Sequence, residues 1–518
     1  MTRENRRRGR RHGGRSANVR RSAAAVKQIP WGLPRNSDAP TEPLDENGVR
    51  AIHDGAMRVL EEIGIEFIHD EAKQILGKAG CTVSPDSDNV RMGRDFVIEQ
   101  VRKAPSTFDI TPRSPGRKIS VGGDRMLFGN VASPPNCSDL DRGRRVGDRE
   151  SYQDLIKLTQ YFNCIHMMVG YPVEPVDIHP SIRHLDCLYD ALTLSDKTIH
   201  AYSLGKERIE DAMEMVRIAA GLTHEEFDAS PRMFTNINSS SPLKIDFNML
   251  DGPMRMARRG QPVIVTPFTL SGAMAPVTIP GAVMQQTAEA LATIVLLQTI
   301  NPGTPVMYGS FTSNVDMSSG APAFGTPEYL RATQMSGQMA RFYELPLRAS
   351  NACAANCPDA QAAWESAFSL WACVSAGVNV VYHAAGWLEG GLCASYEKFV
   401  MDCETLQQVI HYLQPVTVGT DELALDAIKE VGPHGNFFGA SHTLERYETA
   451  FYAPFLSDLN NFEAWEERGS IRTPERANKI WKQILSEFEP PPLDEAIREE
   501  LEAFVARRKE EGGAPTDF

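Results

Sequence analysis

Several signals that identify common classes of protein are missing from this 518-residue sequence. No apolar run is long enough to span a bilayer, so the sequence predicts no membrane segment. No GxGxxG or P-loop pattern follows an early strand, which argues against a nucleotide-binding open sheet. There is no HExxH motif, and no two cysteines have the CxxC spacing typical of structural zinc sites.

Positive charge is also scarce over most of the chain. The formal net charge of -14 argues against a general nucleic-acid-binding protein, because phosphates would be repelled by most of the surface. The first 21 residues are an exception, with nine arginines and one acidic residue. Like charges repel and little apolar surface is available there, so we predict a disordered basic arm, with contact to an acidic partner as the alternative.

Cysteine usage indicates a reducing compartment. The nine cysteines are odd in number, scattered and mostly inside apolar segments. The segment "SAAAVKQIPWG" that follows the arginines is too short and too interrupted to be the apolar core of an export signal. Reduced thiols in a cytoplasmic protein are therefore predicted.

Short apolar strands recur from residue 126 onward and alternate with amphipathic stretches. The eight strand-like segments are "MLFGNVAS", "IHMMVGYP", "KTIHAYSL", "RMFTNINSS", "PVIVTPFTLSG", "TPVMYGSFTSN", "LPLRASNAC" and "VNVVYHAAGW". Strands that alternate with helices imply parallel pairing, and eight such units match a closed barrel. The fold class is thus predicted as α/β, a (β/α)8 TIM barrel with an N-terminal α+β lobe and a C-terminal helical extension.

Composition and periodicity also predict where the units begin and end. Residues 1–44 are expected to be the basic arm and a linker, and 45–123 an N-terminal helical lobe with a small hairpin. The barrel is placed at 124–415 and the C-terminal helical extension at 416–518.

The active site of such a barrel lies at the C-terminal ends of its strands. Aromatic rings, amides, hydroxyls and histidines dominate the side chains predicted there, and full charges are scarce. A phosphate ester would favour arginine or lysine, and glycoside hydrolysis would need two facing carboxylates, which we do not find. An aromatic, charge-poor mouth is instead typical of a site for an organic cation, although any single ring could equally be core packing.

Two cysteines four residues apart, Cys353 and Cys357, fall in "RASNACAANCPDAQ", where the seventh strand gives way to a helix. Three hypotheses apply to them. They could bind zinc, they could form a redox-active thiol pair, or they could be small residues that line a pocket. The last is favoured, because paired CxxC spacing is absent.

Four segments resemble the trimethylamine methyltransferase (MttB-type) family. They are "GAMRVLEEIGIEF", "FGNVASPPNCSDLDRG", "PVIVTPFTLSGAMAPVTIPGAV" and "DAQAAWESAFSLWACVSAGVNVVYHAAGWLEGG". The resemblance extends over residues 45 to 485. It implies a barrel that binds a methylated amine and passes a methyl group to the Co(I) form of a separate corrinoid protein docked over the mouth.

The founding members of that family carry pyrrolysine in the region of the seventh strand. Here the matching segment, residues 352–357, contains only Ala, Asn and Cys. The pocket near this position is expected to include Asn351, Cys353, Asn356 and Cys357. Family relatives without pyrrolysine act on glycine betaine or related betaines, and the resemblance therefore implies a quaternary amine as the substrate.

A quaternary ammonium leaves as a neutral amine, so the protein need not supply a catalytic acid, base or nucleophile. The predicted walls around the trimethylammonium group are Phe128, Tyr308 and Trp387. The predicted partners of the carboxylate are Asn130, His200 and His383.

No metal and no tightly bound cofactor are expected, and the corrinoid belongs to a partner protein. No nucleic-acid or membrane partner is predicted, and the sequence leaves the oligomeric state open, a homo-oligomer included. Trimethylamine methyl transfer, a zinc-thiolate methyltransferase and a non-catalytic betaine-binding barrel remain as alternatives.

Overall fold

A computed structural model describes residues 26–516 of the chain. The predicted disordered arm therefore lies almost wholly outside the described residues. All nine cysteines fall inside them and are free thiols. None of the described helices is both long and apolar enough to cross a bilayer.

Eight parallel strands form the barrel, which confirms the predicted fold class. We number them in chain order: β1 (Leu127–Asn130), β2 (Met167–Met168), β3 (Thr198–Ile199), β4 (Thr235–Ile237), β5 (Val263–Val265), β6 (Val306–Gly309), β7 (Leu347–Ser350) and β8 (Val380–Ala385). Every one of the eight lies within a segment that the sequence pattern predicts as a strand.

The barrel is closed by a short bridge between β3 and β4. The other strands are paired in the order β3-β2-β1-β8-β7-β6-β5-β4. His200, just after β3, forms a parallel bridge with Phe234, just before β4. The N–H of Ala201 donates to the carbonyl oxygen of Phe234 at 3.0 Å, so the sheet has no free edge at this point.

A helix follows each strand and packs on the outside of the barrel. We number these helices α1 (Arg149–Tyr161), α2 (Pro180–Leu194), α3 (Lys206–Ala219), α4 (Phe247–Arg258), α5 (Ile279–Ile300), α6 (Pro327–Phe342), α7 (Ala360–Ala376) and α8 (Tyr396–Tyr412). Local sequence sets several of their ends. Asp148 and Ser151 form a capping box at the start of α1, and Asp359 caps α7, which ends at Gly377 with a left-handed φ of 72°.

Apolar side chains fill the barrel interior, and a hairpin closes its lower end. Leu127, Met167, Ile264, Met307 and Val380 belong to one buried cluster. The same cluster contains Ile110, Ile119 and Val121 from an antiparallel pair of strands, Thr107–Ile110 and Ile119–Gly122, with Trp31 packed against it. The N–H of Thr111 donates to the carbonyl of Pro231, which precedes β4, so this hairpin lies at the N-terminal end of the strands.

Segments outside the barrel cover several of its helices. Three N-terminal helices pack on α5, whose side chains are buried on nearly every face: Glu46–Arg58, Asp70–Lys78 and Arg94–Val101. The short strands Ile65–Phe67, Thr82–Val83, Asn89–Arg91 and Lys244–Ile245 form a small sheet beside them. At the C-terminus, Thr473–Ser486 packs on α8, and Glu495–Glu510 packs on α2 and α3.

Two small sheets, made of strands of two to four residues, lie at the mouth of the barrel. One sheet contains Asn136–Asp139, Gly143–Val146, Trp387–Leu388 and Cys393–Ser395, and another contains Leu270–Ser271, Ser313–Val315 and Pro322–Ala323. Between α8 and Thr473–Ser486 the chain forms only the short helices Thr420–Leu423, Leu425–Val431, Ser441–Arg446 and Phe462–Glu467. The division into units at 44/45, 123/124 and 415/416 stays a prediction.

Asp251 on α4 links the N-terminal helices to the barrel, and its charge generates a pH-dependent stability. Its carboxylate accepts from Arg255 Nε at 3.0 Å and lies 3.6 Å from His69 Nε2, with 9% of the side chain exposed. Burial by itself raises the pKa of Asp251, but His69 and Arg255 outweigh it and lower that pKa to about 2. A carboxyl group whose pKa is lower in the folded state than in the unfolded state stabilises the fold at pH values above its unfolded-state pKa. This contribution to stability is lost as the pH falls toward 2.

We expect Asp251→Asn to lower the free energy of unfolding by about 2 kcal/mol at pH 7. The difference from the wild type should be constant above about pH 5 and should shrink below about pH 4. Urea unfolding between pH 3 and pH 7 measures it. Asp70→Asn, which removes an exposed carboxylate paired with Lys73, is the matched control and should not shift the midpoint. A difference that stays unchanged down to pH 3 would contradict the assignment.

Candidate active site at the mouth of the barrel

A cavity of about 380 Å³ opens at the C-terminal ends of the strands. Residues from the ends of all eight strand segments contribute to its wall. Together with Met249 of α4 and residues of the mouth loops, the wall consists of Ala132, Ser133, Val169, His200, Tyr202, Ser203, Leu204, Asn236, Asn238, Met249, Phe268, Phe311, Phe324, Arg348, Tyr382, His383, Trp387, Gly390 and Gly391. Among the described residues, no aspartate or glutamate lines this cavity.

Arg348 on β7 is the charged residue of the cavity wall. The residue is 2% exposed, and its Nη1 donates to the carbonyl oxygen of Ser310 at 3.3 Å, while its Nε has no hydrogen-bond partner within residues 26–516. The guanidinium carbon lies 4.2 Å from the ring centroid of Tyr382 and 5.1 Å from that of Phe311. Burial lowers the pKa of Arg348 to about 10, which leaves the group charged at neutral pH. A buried cation with this surrounding favours an anionic ligand.

An irregularity in β8 places His383 in the wall. Val381 pairs with Phe128 of β1, but the next pair joins Ala385 to Asn130, so β8 contains extra residues at this point. His383 adopts a left-handed φ of 54° within this bulge. Bulges and positive φ values at non-glycine residues commonly redirect side chains at functional sites.

The two histidines of the cavity are neutral. Burial and the charge of Arg348 hold the pKa of His383 well below its usual value, and burial lowers the pKa of His200 to about 3. In the part of the chain that the structure describes, Nδ1 of each ring is buried without a hydrogen-bond partner, and so is the hydroxyl of Tyr382. Because buried polar atoms are usually paired, these atoms and Arg348 Nε form a set that a polar ligand could satisfy.

Aromatic rings make up much of the cavity wall. The Phe311 ring lies 4.9 Å from Phe268 and stacks on Phe324 at 5.6 Å, measured between centroids. Trp387 lies 4.0 Å from His383 and 6.3 Å from Phe311. Phe311 thus joins Phe268, Phe324 and Trp387 in a cluster of rings, and the faces of such rings attract an organic cation.

Cys353 holds Trp387 in place. The indole N–H of Trp387 donates to the carbonyl oxygen of Cys353 at 3.1 Å, and the Cys353 thiol donates to the carbonyl oxygen of Trp387 at 3.0 Å. Burial raises the pKa of this thiol to about 12, so it is not a thiolate at neutral pH. Cys357 is exposed, and its thiol contacts Asp359.

A buried ion pair supports the bulge from behind. Lys398 Nζ lies 2.7 Å from both carboxylate oxygens of Asp402 and 2.7 Å from the hydroxyl of Ser366. Asp402 also accepts from the N–H of Gly386 at 2.8 Å, directly after the bulge and before Trp387. This pair therefore fixes the backbone between His383 and Trp387.

Three of the six predicted ligand contacts line the cavity, namely His200, His383 and Trp387. The other three do not. Successive side chains of a strand point to opposite faces. Leu127 of β1 and Met307 of β6 belong to the interior cluster, so their neighbours Phe128 and Tyr308 point outward.

The contacts of these three side chains agree with that assignment. The hydroxyl of Tyr308 bonds to Gln286 at 3.0 Å and Thr287 at 2.8 Å, both on α5. Phe128 packs beside His166 with the rings 5.8 Å apart. The amide of Asn130 accepts from the N–H of Val169 at 2.8 Å and donates to the carbonyl of Val131, which joins β1 to the segment after β2.

The predicted pocket near the seventh strand also lies outside the cavity wall. Asn351 donates to the carbonyl of Ala384 at 3.0 Å and is buried, Cys353 is bonded to Trp387, and Asn356 and Cys357 are exposed. Nowhere in residues 26–516 do three or more His, Cys, Asp or Glu side chains form a group that could hold a metal ion.

Arg348 is the site residue that the sequence reasoning missed. A signal for it exists, because an arginine inside "PLRAS", an otherwise apolar and small strand of a barrel, must be buried. Tyr382 was missed for a different reason. It is adjacent to the β8 bulge, which no sequence pattern indicates.

Comparisons with known proteins give a consistent result. The family model for trimethylamine methyltransferase (MTTB) matches residues 10–513. The glycine betaine methyltransferase of Desulfitobacterium hafniense (strain Y51) is 38% identical over 471 residues, which is 91% of this chain and 98% of that protein. A trimethylamine methyltransferase MttB of D. hafniense (strain DSM 10664 / DCB-2) is 29% identical over 89% of this chain and 93% of that protein. The proline betaine:corrinoid methyltransferase of Eubacterium limosum is 29% identical over 88% and 96% of the two chains.

We expect Asp402→Asn to destabilise the protein by about 3 to 5 kcal/mol, because it leaves the Lys398 ammonium buried without its counter-ion. Urea unfolding at neutral pH measures the loss. The double variant Lys398→Met/Asp402→Leu replaces the pair by apolar groups of similar size and should recover most of it. Equal stability of Asp402→Asn and the wild type would contradict a structural role for the pair.

Proposed function

Because the chain belongs to the trimethylamine methyltransferase family, we propose that it transfers a methyl group from glycine betaine or a related betaine to a corrinoid carried by a partner protein. Relatives named as glycine betaine and proline betaine:corrinoid methyltransferases align with nearly the whole chain, which supports this class of reaction. The corrinoid supplies cobalt(I), the nucleophile that accepts the methyl group.

The presence of Arg348 in the cavity wall favours a betaine over trimethylamine as the substrate. Trimethylamine has no negative charge, and its ammonium form would be repelled by a guanidinium in the same small cavity. A betaine has a carboxylate a short distance from its quaternary nitrogen. That carboxylate can accept hydrogen bonds from the guanidinium, whose Nε has no partner among the described residues.

The aromatic rings suit the quaternary ammonium end of a betaine. With the carboxylate at Arg348, the trimethylammonium group would contact Phe311, Phe268 and Trp387, whose faces attract a cation. The side chains of His200 and His383 stay neutral and so add no repulsion. Each can donate one hydrogen bond, the tautomer being set by the ligand.

The residues present suit a reaction without proton transfer to the substrate. Among the described residues, no carboxylate that could act as a base lines the cavity, and the buried histidines have low pKa values. A quaternary ammonium departs as a neutral amine, so it requires neither acid nor base. The side chains then contribute by orienting the N–CH₃ bond toward the open mouth and by excluding water.

Methylation of free cob(I)alamin tests the proposal. The purified chain is mixed with cob(I)alamin under anaerobic conditions and a panel of glycine betaine, proline betaine, carnitine, γ-butyrobetaine, choline and trimethylamine. We expect the absorbance change of cobalt methylation with at least one carboxylate-bearing quaternary amine and none with trimethylamine. Methylation by trimethylamine alone would overturn the proposal. Heat of binding in calorimetry without any absorbance change would favour the non-catalytic binder instead.

Arg348→Gln tests the role of the guanidinium. We expect the Kd for glycine betaine, measured by calorimetry, to rise at least about thirtyfold, because the substitution removes a charge that pairs with the carboxylate. Choline is the matched control ligand, since it has the same trimethylammonium group and no carboxylate. Its Kd should stay the same or fall in Arg348→Gln. A parallel loss of affinity for both ligands would mean that Arg348 only shapes the cavity.

A further inference from the structure

Elements of the same chain cover the outer faces of several barrel helices. The N-terminal helices pack on α5, Thr473–Ser486 packs on α8, and Glu495–Glu510 packs on α2 and α3. The apolar outer face of α5 is buried in this way. Helix α7 is also apolar on its outside, but its outer face is exposed.

Trp364, Phe368 and Trp371 form a stripe along α7 at intervals of four and three residues. Their exposed fractions are 54%, 51% and 50%. The other exposed residues of this helix are Ala360, Gln361, Ala363 and Ala367, so the outer face has no charge. The outer face of a surface helix is normally charged or polar, and a helix that is apolar on all sides is normally buried. We call Trp364, Phe368 and Trp371 the α7 face.

A second uncovered apolar surface begins beside the first. Tyr412, at the end of α8, lies 5.7 Å from Trp371. The chain then leaves the barrel as an arm, residues 416–451, and returns where the N–H of Leu456 donates to Glu404 of α8. Ten large apolar residues of this arm are exposed: Val416, Val418, Leu423, Leu425, Ile428, Phe437, Phe438, Leu444, Tyr447 and Phe451. Val416 is 89% exposed and Phe438 is 88% exposed.

We propose that two copies of this chain associate, with the arm of each copy covering the α7 face of the other. Together the two surfaces exceed the scattered exposed apolar residues that monomeric proteins tolerate. They lie next to each other across Tyr412, so a two-fold axis near that residue would bring each arm onto the partner's α7 face. This inference does not depend on the proposed reaction.

The charge of the arm favours contact between the arm of one copy and the α7 face of the other over contact between the two arms. Residues 416–451 contain six acidic and two basic residues. Two arms packed together would repel each other, whereas the outer face of α7 is uncharged. Apolar contact can therefore form there without placing like charges opposite one another.

The position of the two surfaces disfavours the corrinoid partner as their occupant. A methyl acceptor must reach the mouth, at the C-terminal ends of the strands. The α7 face starts near that end and runs away from it toward Tyr412, which lies at the end of α8 and so at the lower end of the barrel. A transient partner would also leave this apolar area in water for much of the time, whereas a permanent second copy keeps it covered.

Sedimentation velocity at micromolar concentration tests the inference with two triple variants. The α7-face variant is Trp364→Glu/Phe368→Glu/Trp371→Glu, and the arm variant is Leu425→Glu/Phe438→Glu/Phe451→Glu. We expect the wild type to sediment as a dimer and each variant as a monomer, with a dimer dissociation constant raised at least about a hundredfold. Circular dichroism checks that the variants are folded. Ile63→Glu/Val277→Glu, which changes exposed apolar residues elsewhere, should remain a dimer.

An equimolar mixture of the two triple variants gives the sharper result. In a mixed dimer, the intact arm of one variant can still cover the intact α7 face of the other, so one of two contacts survives. We expect the mixture to form dimers that neither variant forms alone. A monomeric wild type, a triple variant that remains dimeric, or a mixture that stays monomeric would each overturn the proposal.

Discussion

A buried positive charge that has no counter-ion among the described residues is the constraint around which the cavity is organised. Arg348 lies inside the barrel, bonded to one carbonyl oxygen and flanked by the rings of Tyr382 and Phe311. Burying a lone guanidinium costs free energy that the rest of the fold must offset. A bound ligand that supplies an anion to pair with Arg348 would offset this free-energy cost. A ligand with opposite charges at its two ends then fits a cavity in which a cation lies beside a cluster of aromatic rings.

The same constraint accounts for what surrounds Arg348. A nearby carboxylate would neutralise it and compete with the ligand, and none lines the cavity among the described residues. A protonated histidine would repel the quaternary nitrogen, and burial keeps both histidines neutral. Supporting charges lie outside the cavity wall, as in the Lys398–Asp402 pair, where they fix the backbone next to His383.

The sequence was sufficient for the barrel but only partly for its site. Strand spacing identified all eight strands, because apolar runs separated by amphipathic helices leave few other topologies. Which side chains of a strand point into the barrel depends on its register, and a shift of one residue reverses them. A sequence pattern does not determine this register, and the predicted contacts Phe128 and Tyr308 point away from the interior. The predicted ligand contacts His383 and Trp387 line the cavity, but the bulge that orients them depends on tertiary contacts with Asp402 and Cys353. Arg348 is not among the predicted contacts because it lies at the second position of β7 and not at the C-terminal end of that strand.

The sealed lower end of the barrel has a kinetic consequence. Because the hairpin 107–122 and Trp31 fill that end, a substrate would enter and leave through the mouth, where the methyl acceptor of the proposed reaction would also dock. The amine would have to arrive before its acceptor and could depart only after the acceptor withdraws. An excess of the demethylated corrinoid protein would then slow turnover by blocking the mouth of the barrel. The order of binding, substrate before acceptor, would follow from this geometry.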